Sequence, residues 1–242
     1  MTAHESGESS TGKGPNSDEQ SPSPWTGPNP GGNAEPLVIG LIGGVASGKS
    51  TIARVFRDLG CLVADADRYS HQALEEPAIK QEVTRRFGRG ILDASGKIDR
   101  KRLVGAFARP ADLRFLESIL HPRVVERVQN CIQEARRSGR RGVVVDAPLL
   151  LEAGLDRVCD VVVMVEASDT VRRARAIERG LAPEDWARRE ANQKSIGEKR
   201  TRADHTVVNE GPIQEVRRAV ESLWQLFLAR PGSNDCIPHQ DG

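Results

Sequence analysis

Cysteine is scarce: four in 242 residues, at Cys61, Cys131, Cys159 and Cys236, with no C-x-x-C pair among them. That spacing argues against a zinc site and against a disulfide framework, and a reduced, intracellular chain is the simpler reading. No apolar run reaches 18 residues, so no membrane span is expected. Neither sign of charge dominates, since 35 basic residues face 34 acidic ones for a net charge of +1. The overall field therefore recommends neither nucleic acid nor membrane as a partner. Residues 1–35 lack the apolar h-region of a secretory signal, and with one Lys and no Arg they fit a mitochondrial presequence badly. The cytoplasm is the expected place of work. No internal repeat is visible.

What the chain does contain is ordered along its length. Residues 1–35 are rich in Ser, Gly and Pro, with Trp25 the only large apolar side chain. Such a stretch buries too little apolar surface to offset its ordering entropy, which predicts a disordered tail. From Pro36 the pattern changes. Leu37-Val38-Ile39-Gly40-Leu41-Ile42 is apolar on both faces and short, as a central parallel strand is. Glycines follow, then a helix over Lys49–Leu59 with Gly60 as its C′ residue, then a strand at Cys61–Ala64 that ends toward Asp65 and Asp67. Residues 69–140 read as a charged, α-rich insertion, in which Pro122 is placed to start a helix at its first position. Arg141–Val145 and Val158–Val165 return to strand character. Helices are expected over Thr170–Arg179 and Pro183–Lys194, a last strand over His205–Val208, a closing helix over Ile213–Leu228, and a polar tail from Pro231. Alternating strands and helices predict an α/β domain over residues 36–230, with a mainly parallel sheet flanked by helices on both faces.

The strongest local signal is Gly43-Gly44-Val45-Ala46-Ser47-Gly48-Lys49-Ser50. It satisfies G-x-x-x-x-G-K-[ST] in the required setting, between a buried strand and a helix. Backbone N–H groups must turn inward around a nucleotide's phosphates, which glycine permits, and the helix N-terminus adds partial positive charge. Lys49 is placed for the β- and γ-phosphates, the Ser50 hydroxyl for Mg²⁺, and Thr51 adds a further hydroxyl. ATP and Mg²⁺ are therefore the expected ligands, with Gly44, Ala46, Ser47 and Gly48 contributing to the cradle. The alternative is an incidental glycine-rich turn.

The loop alone does not separate kinases from switches. The N-K-x-D signature of guanine-nucleotide switches is missing, and the one D-x-x-G match, Asp93–Gly96, lies in the insertion. Asp65 and Asp67 fall where the second strand ends, outside the carboxyl edge where ligands of open parallel sheets bind. There a carboxylate can accept a hydroxyl proton, or it can simply cap a turn. Both readings stay open from position alone. Asp146 ends the third core strand and is a subordinate candidate for holding Mg²⁺ through water.

Several runs together are more specific: I-G-L-I-G-G-V-A-S-G-K-S-T, D-A-D-R, L-H-P-R-V, A-P-L-L-L-E-A-G-L, R-A-I-E-R-G-L with A-N-Q-K, and E-K-R-T-R-A-D-H-T-V-V-N-E-G. Kept in order from about Leu37 to Leu226, they resemble the dephospho-CoA kinase family. The resemblance implies a P-loop kinase core, a helical CoA-binding insertion at about 69–140 and a small helical lid at about 172–200. It implies transfer of the ATP γ-phosphoryl group to the ribose 3′-hydroxyl of dephospho-CoA. By the same resemblance Asp67 is the general base and Asp65 its neighbour, and His121 lies in the acceptor-binding domain. Arg175 and Arg179 are lid arginines, Leu149 and Glu152 wall the acceptor pocket, and Asn209 with Gly211 lies near the adenine. The chain departs from the family at Leu151, where Phe is usual, and at Ala46, where Gly is frequent and Ala is tolerable if its φ is negative. The expected enzyme works on a small molecule, as a monomer or weak homo-oligomer, with no nucleic acid or membrane partner. The rival readings are another small-molecule or nucleotide kinase on the same core, and a non-catalytic nucleotide-binding module.

Overall fold

Strand β1 (Leu37–Ile42) carries apolar side chains on both faces because both faces are covered. In the computed structural model, which describes residues 35–229, Ile39 and Leu41 pack on one layer with Ile52 and Phe56 of α1 (Lys49–Asp58) and with Val216, Val220, Trp224 and Phe227 of α9 (Ile213–Ala229). Val38 and Ile42 point the other way, onto Val124, Val128 and Cys131 of α5 (Pro110–Arg137). Burying a side chain such as Phe56 fully is worth on the order of 2–3 kcal/mol. The predicted tails, 1–35 and 231–242, fall outside the described residues except for Glu35, which pairs with Arg136.

Five strands, β1, β2 (Leu62–Asp65), β3 (Gly142–Asp146), β4 (Val161–Glu166) and β5 (His205–Val208), form one parallel sheet in the order β2-β3-β1-β4-β5. The chain leaves β1 with β3 on one side and β4 on the other, so the direction of winding reverses beside β1. A crevice for ligand opens at the carboxyl ends of the strands at such a point. Two details hold α1 in register with the sheet. Gly60, at φ 95°, donates to the Arg57 carbonyl while Cys61 donates to Phe56, which closes the helix with a left-handed turn before β2. Gly142 leaves room for Trp224, because a Cβ there would meet the indole at 2.7 Å.

The expected α-rich stretch is α2 (Ala66–Leu74), α3 (Pro77–Phe87), α4 (Arg100–Gly105) and α5, with their own apolar cluster built on Ala73, Leu74, Ile79, Val83, Ile91 and Leu103. One expectation there fails. Pro122 does not start a helix but lies inside the 28-residue α5. The helix runs on although Pro122 lacks an N–H for the Ser118 carbonyl. Its first half (Leu116, Ile119, Leu120) packs on the insertion cluster and its second half on the sheet, so α5, about 42 Å long, belongs to both. Asp93 of the D-x-x-G match takes N–H bonds from Ser95 and Lys97 in a tight turn between Leu92 and Ile98.

After β4 come α6 (Asp169–Glu178), α7 (Pro183–Ala191) and a further helix, α8 (Ile196–Arg202). The fourth strand begins later than predicted, since Leu155–Val158 is a 3₁₀ turn. The three cysteines described, Cys61, Cys131 and Cys159, are free, and burial pushes the Cys61 and Cys159 thiols up to about 12. Neither is a ready nucleophile.

Candidate active site

The loop Gly43–Ser50 leaves β1 at this switch point and enters α1. Gly48 is the N-cap of α1 at φ 95°, and a Cβ there would also lie 2.0 Å from Asn209 Nδ2, so only glycine fits. The loop's carbonyls are held by several side-chain donors. Lys49 Nζ donates to Gly43 O at 3.1 Å and Gly44 O at 3.2 Å. Lys199 of α8, fully buried, also donates to Gly43 O at 3.1 Å, and Gln193 accepts from the same ammonium. Asn209 Nδ2 donates to Ser47 O at 2.7 Å, and Arg175 reaches the same oxygen at 3.4 Å. In the first turn of α1 the Thr51 N–H donates to Gly48 O at 2.9 Å, while the amides of Lys49 and Ser50 precede any carbonyl their own helix could offer. Backbone N–H groups and two lysines thus gather around one loop, the chemistry of an anion cradle.

Lys49 is buried, and burial pulls its pKa down to about 8, with Lys199 adding to the fall. Asp146 and Asp67 work against that fall. These carboxylates stand beside the loop, Asp146 at the end of β3 and Asp67 in the first turn of α2. Asp65 and Asp146 are direct neighbours in the β2–β3 register, at the carboxyl ends of their strands. Asp65 caps α2 by accepting from the Arg68 N–H at 2.9 Å, which is the turn-capping alternative for that residue. Asp67 follows in the first turn, open to solvent. Partial desolvation of its carboxyl, then the charge of Asp65, raises its pKa above the ordinary carboxylate value, against the pull of His71, Arg100 and Lys49. Burial raises Asp146 as well, opposed by a hydrogen bond from Ser50 and by Lys49. Asp146 therefore enters the site more fully than its sequence position argued.

The remaining sequence candidates divide. Arg175 reaches the loop, but Arg179 caps the C-terminus of α6, exposed, with bonds to the loop made by its neighbour instead. Glu152 is exposed and accepts from the Lys194 N–H, which ties the turn after β3 to the approach to α8. Leu149 is half-buried in the turn after β3, and His121 is exposed on α5. Gly211 sits in the loop after β5, with Glu215 close by. Ala46 takes φ 58°, against the expected negative value, and is the one non-glycine residue with positive φ among the described residues. Sequence reasoning missed Lys199, Arg172 and Glu190. A Ser195-Ile196-Gly197-Glu198 capping box marks the helix that presents Lys199 and was legible.

Residues 37–215 match the family model described as dephospho-CoA kinase. The chain belongs to the dephospho-CoA kinase family. A curated dephospho-CoA kinase of Symbiobacterium thermophilum is 40% identical over 198 residues, covering 81% of this chain and 83% of that one. A crystal structure of a Thermus thermophilus protein superposes with a TM-score of 0.68 at 31% identity, over 80% of this chain and 98% of the other. The dephospho-CoA kinase of Campylobacter jejuni superposes at 0.60, with 23% identity over 78% and 96% of the two chains, and shows the shared fold. The helices that carry Lys199 and Arg175, and the helix that Asp65 caps, are thus built on a P-loop kinase frame. No helix among the described residues is long and apolar enough to cross a membrane.

Proposed function

We propose that this chain does what its family is named for, transferring the γ-phosphoryl group of ATP to the ribose 3′-hydroxyl of dephospho-CoA to give coenzyme A and ADP. The observation that carries the reading is the convergence of Lys49, at the mouth of the loop, with Asp67 in the first turn of α2 and Asp146 at the end of β3. Phosphoryl transfer asks mainly for positioning and charge neutralisation. Lys49 and the loop amides hold the β- and γ-phosphates, and Arg175, tied to Ser47 O, is placed to meet charge on the transferring group. Asp67 takes the acceptor's hydroxyl proton, a task its raised pKa suits because a weaker acid is a stronger base.

Among the described residues no group of three or more His, Cys, Asp or Glu is arranged to hold a metal by itself. The Ser50 hydroxyl on the Asp146 carboxylate is nonetheless a hard-oxygen pair of the kind Mg²⁺ accepts when most of its shell is water and phosphate. Bound there, Mg²⁺ supplies charge neutralisation at the phosphates. We place the reaction in the cytoplasm, in a monomer or weak homo-oligomer, with Asn209 and Gly211 toward the adenine and the α2–α5 cluster with His121 and Leu149 toward the acceptor. The reading is tested by ADP release: dephospho-CoA is expected to stimulate it and nucleoside monophosphates are not, and equal stimulation by a nucleoside monophosphate overturns it.

A pH dependence follows from Lys49. Its pKa of about 8 in the free protein rises when a triphosphate lies beside it, so binding above that pH takes up a proton. The affinity for ATP is expected to be flat with respect to this group below about pH 8 and to weaken by up to about tenfold per pH unit above it. Calorimetry in buffers of different ionisation enthalpy reads the proton directly. Lys49→Arg, which keeps its charge, should lose the proton uptake.

A further inference from the structure

Two side chains without a part in that scheme grip the apex of the phosphate loop. Arg172 of α6 is only 5% exposed. Its Nη1 donates to Val45 O at 3.3 Å and to Glu190 Oε1 at 2.6 Å, and its Nη2 donates to Asp169 Oδ1 at 3.0 Å. The guanidinium lies 5.2 Å from the Trp186 ring centroid. Its Nε has no hydrogen-bond partner, so its other contacts must hold it in place. Glu190 of α7 completes the arrangement, because the same Oε1 accepts the Val45 N–H at 2.7 Å. Both the N–H and the C=O of Val45 are therefore tied to the two lid helices. Gly44 makes this possible, since a Cβ there would fall 2.2 Å from Arg172 Nη1.

The residue after Val45 is Ala46, at φ 58°. An L-residue in that left-handed region costs roughly 1–2 kcal/mol, and glycine does not incur it. Within the loop the Ser47 N–H donates to Gly44 O at 3.2 Å, closing a turn with Val45 and Ala46 at its centre, and the contacts on Val45 brace that turn from outside. We propose that Glu190 and Arg172 are positioning residues, a clamp that keeps the left-handed apex of the phosphate loop in its binding shape and ties that shape to the packing of α6 and α7. Neither reaches the reacting atoms; both act through the Val45 peptide groups. The inference rests on reading the loop as the ATP site. It differs from a tethering role, in which Glu190 merely keeps α7 attached.

The two roles separate by combining substitutions. Glu190→Ala and Glu190→Gln are made in the full chain, alone and together with Ala46→Gly, and ATP affinity is measured by calorimetry alongside kcat and KM. Glu190→Ala is expected to weaken ATP binding about tenfold. Glu190→Gln should cost less, since its amide oxygen still accepts from Val45. On the Ala46→Gly background the Glu190→Ala loss is expected to shrink to about threefold or less, because glycine holds the left-handed apex unaided. The same factor on both backgrounds, or no loss from Glu190→Ala, overturns the clamp. Should α7 fail to pack in Glu190→Ala, the Glu190→Gln pair of measurements carries the same comparison. ATP affinity is read without acceptor, so failure of dephospho-CoA as a substrate would leave this result interpretable.

Discussion

Lys49→Ala is expected to lower kcat/KM by about a thousandfold or more while the melting temperature stays within a few degrees of wild type. The first half follows from position. Lys49 opens α1, its ammonium spans the Gly43 and Gly44 carbonyls, and its charge is coupled to both Asp146 and Asp67. On the proposed reading it is the cation that balances charge between donor and acceptor. The second half follows from the sign of its pKa shift. A lysine whose folded pKa is lowered binds fewer protons folded than unfolded between about pH 8 and its ordinary value of 10.5, so stability rises with pH across that window. Below it the buried charge is a standing cost, which alanine removes. Loss of activity together with a large fall in melting temperature would instead mark Lys49 as structural. Thermal unfolding beside steady-state kinetics decides.

Asp67→Asn is expected to reduce kcat by about a hundredfold or more, within the range for loss of a general base, with the affinity for ATP changed by less than about threefold. Asparagine keeps the shape and removes the basic oxygen. The stability sign is again opposite to that of a structural residue. A carboxyl whose folded pKa is raised binds more protons folded than unfolded just above the ordinary carboxylate range, so its charge disfavours the fold at neutral pH. Because Asp67 is solvent-exposed the effect is small, and the variant should melt at or slightly above wild type. In wild type, kcat should fall on acidification through a pKa above the ordinary carboxylate value, and this limb should vanish in Asp67→Asn. Near wild-type kcat in the variant would remove Asp67 from the proton-transfer role.

The parts of this architecture that show in the sequence are those determined by short-range patterns. Strand β1, the loop and α1 are adjacent and apolar in the ways their burial demands, and β5 is found at His205–Val208 as its pattern predicts. Asp65 and Asp67 are legible because they fall at and just past the end of a strand, although only the geometry separates the cap from its neighbour. What was illegible is tertiary. Proline usually marks a helix start, yet α5 runs through Pro122 because its two halves pack on two different cores. Among Arg172, Arg173, Arg175 and Arg179 the local pattern offers no way to choose, and the resemblance points to Arg175 and Arg179; burial singles out Arg172, and reach singles out Arg175. Glu190 lies 18 residues from Arg172 on another helix, and no local rule joins them. The φ of Ala46 belongs to a turn closed inside the loop by the Ser47 N–H on Gly44 O, with Val45 held from α6 and α7, and nothing in the residue type announces it.

The most direct measurement is the position of the phosphate on the product formed from ATP, Mg²⁺ and dephospho-CoA, read by phosphorus NMR or fragment mass. The account requires one new phosphate on the ribose 3′-hydroxyl for each ADP released. A phosphate on any other oxygen, or ADP released without a phosphorylated acceptor, would contradict it.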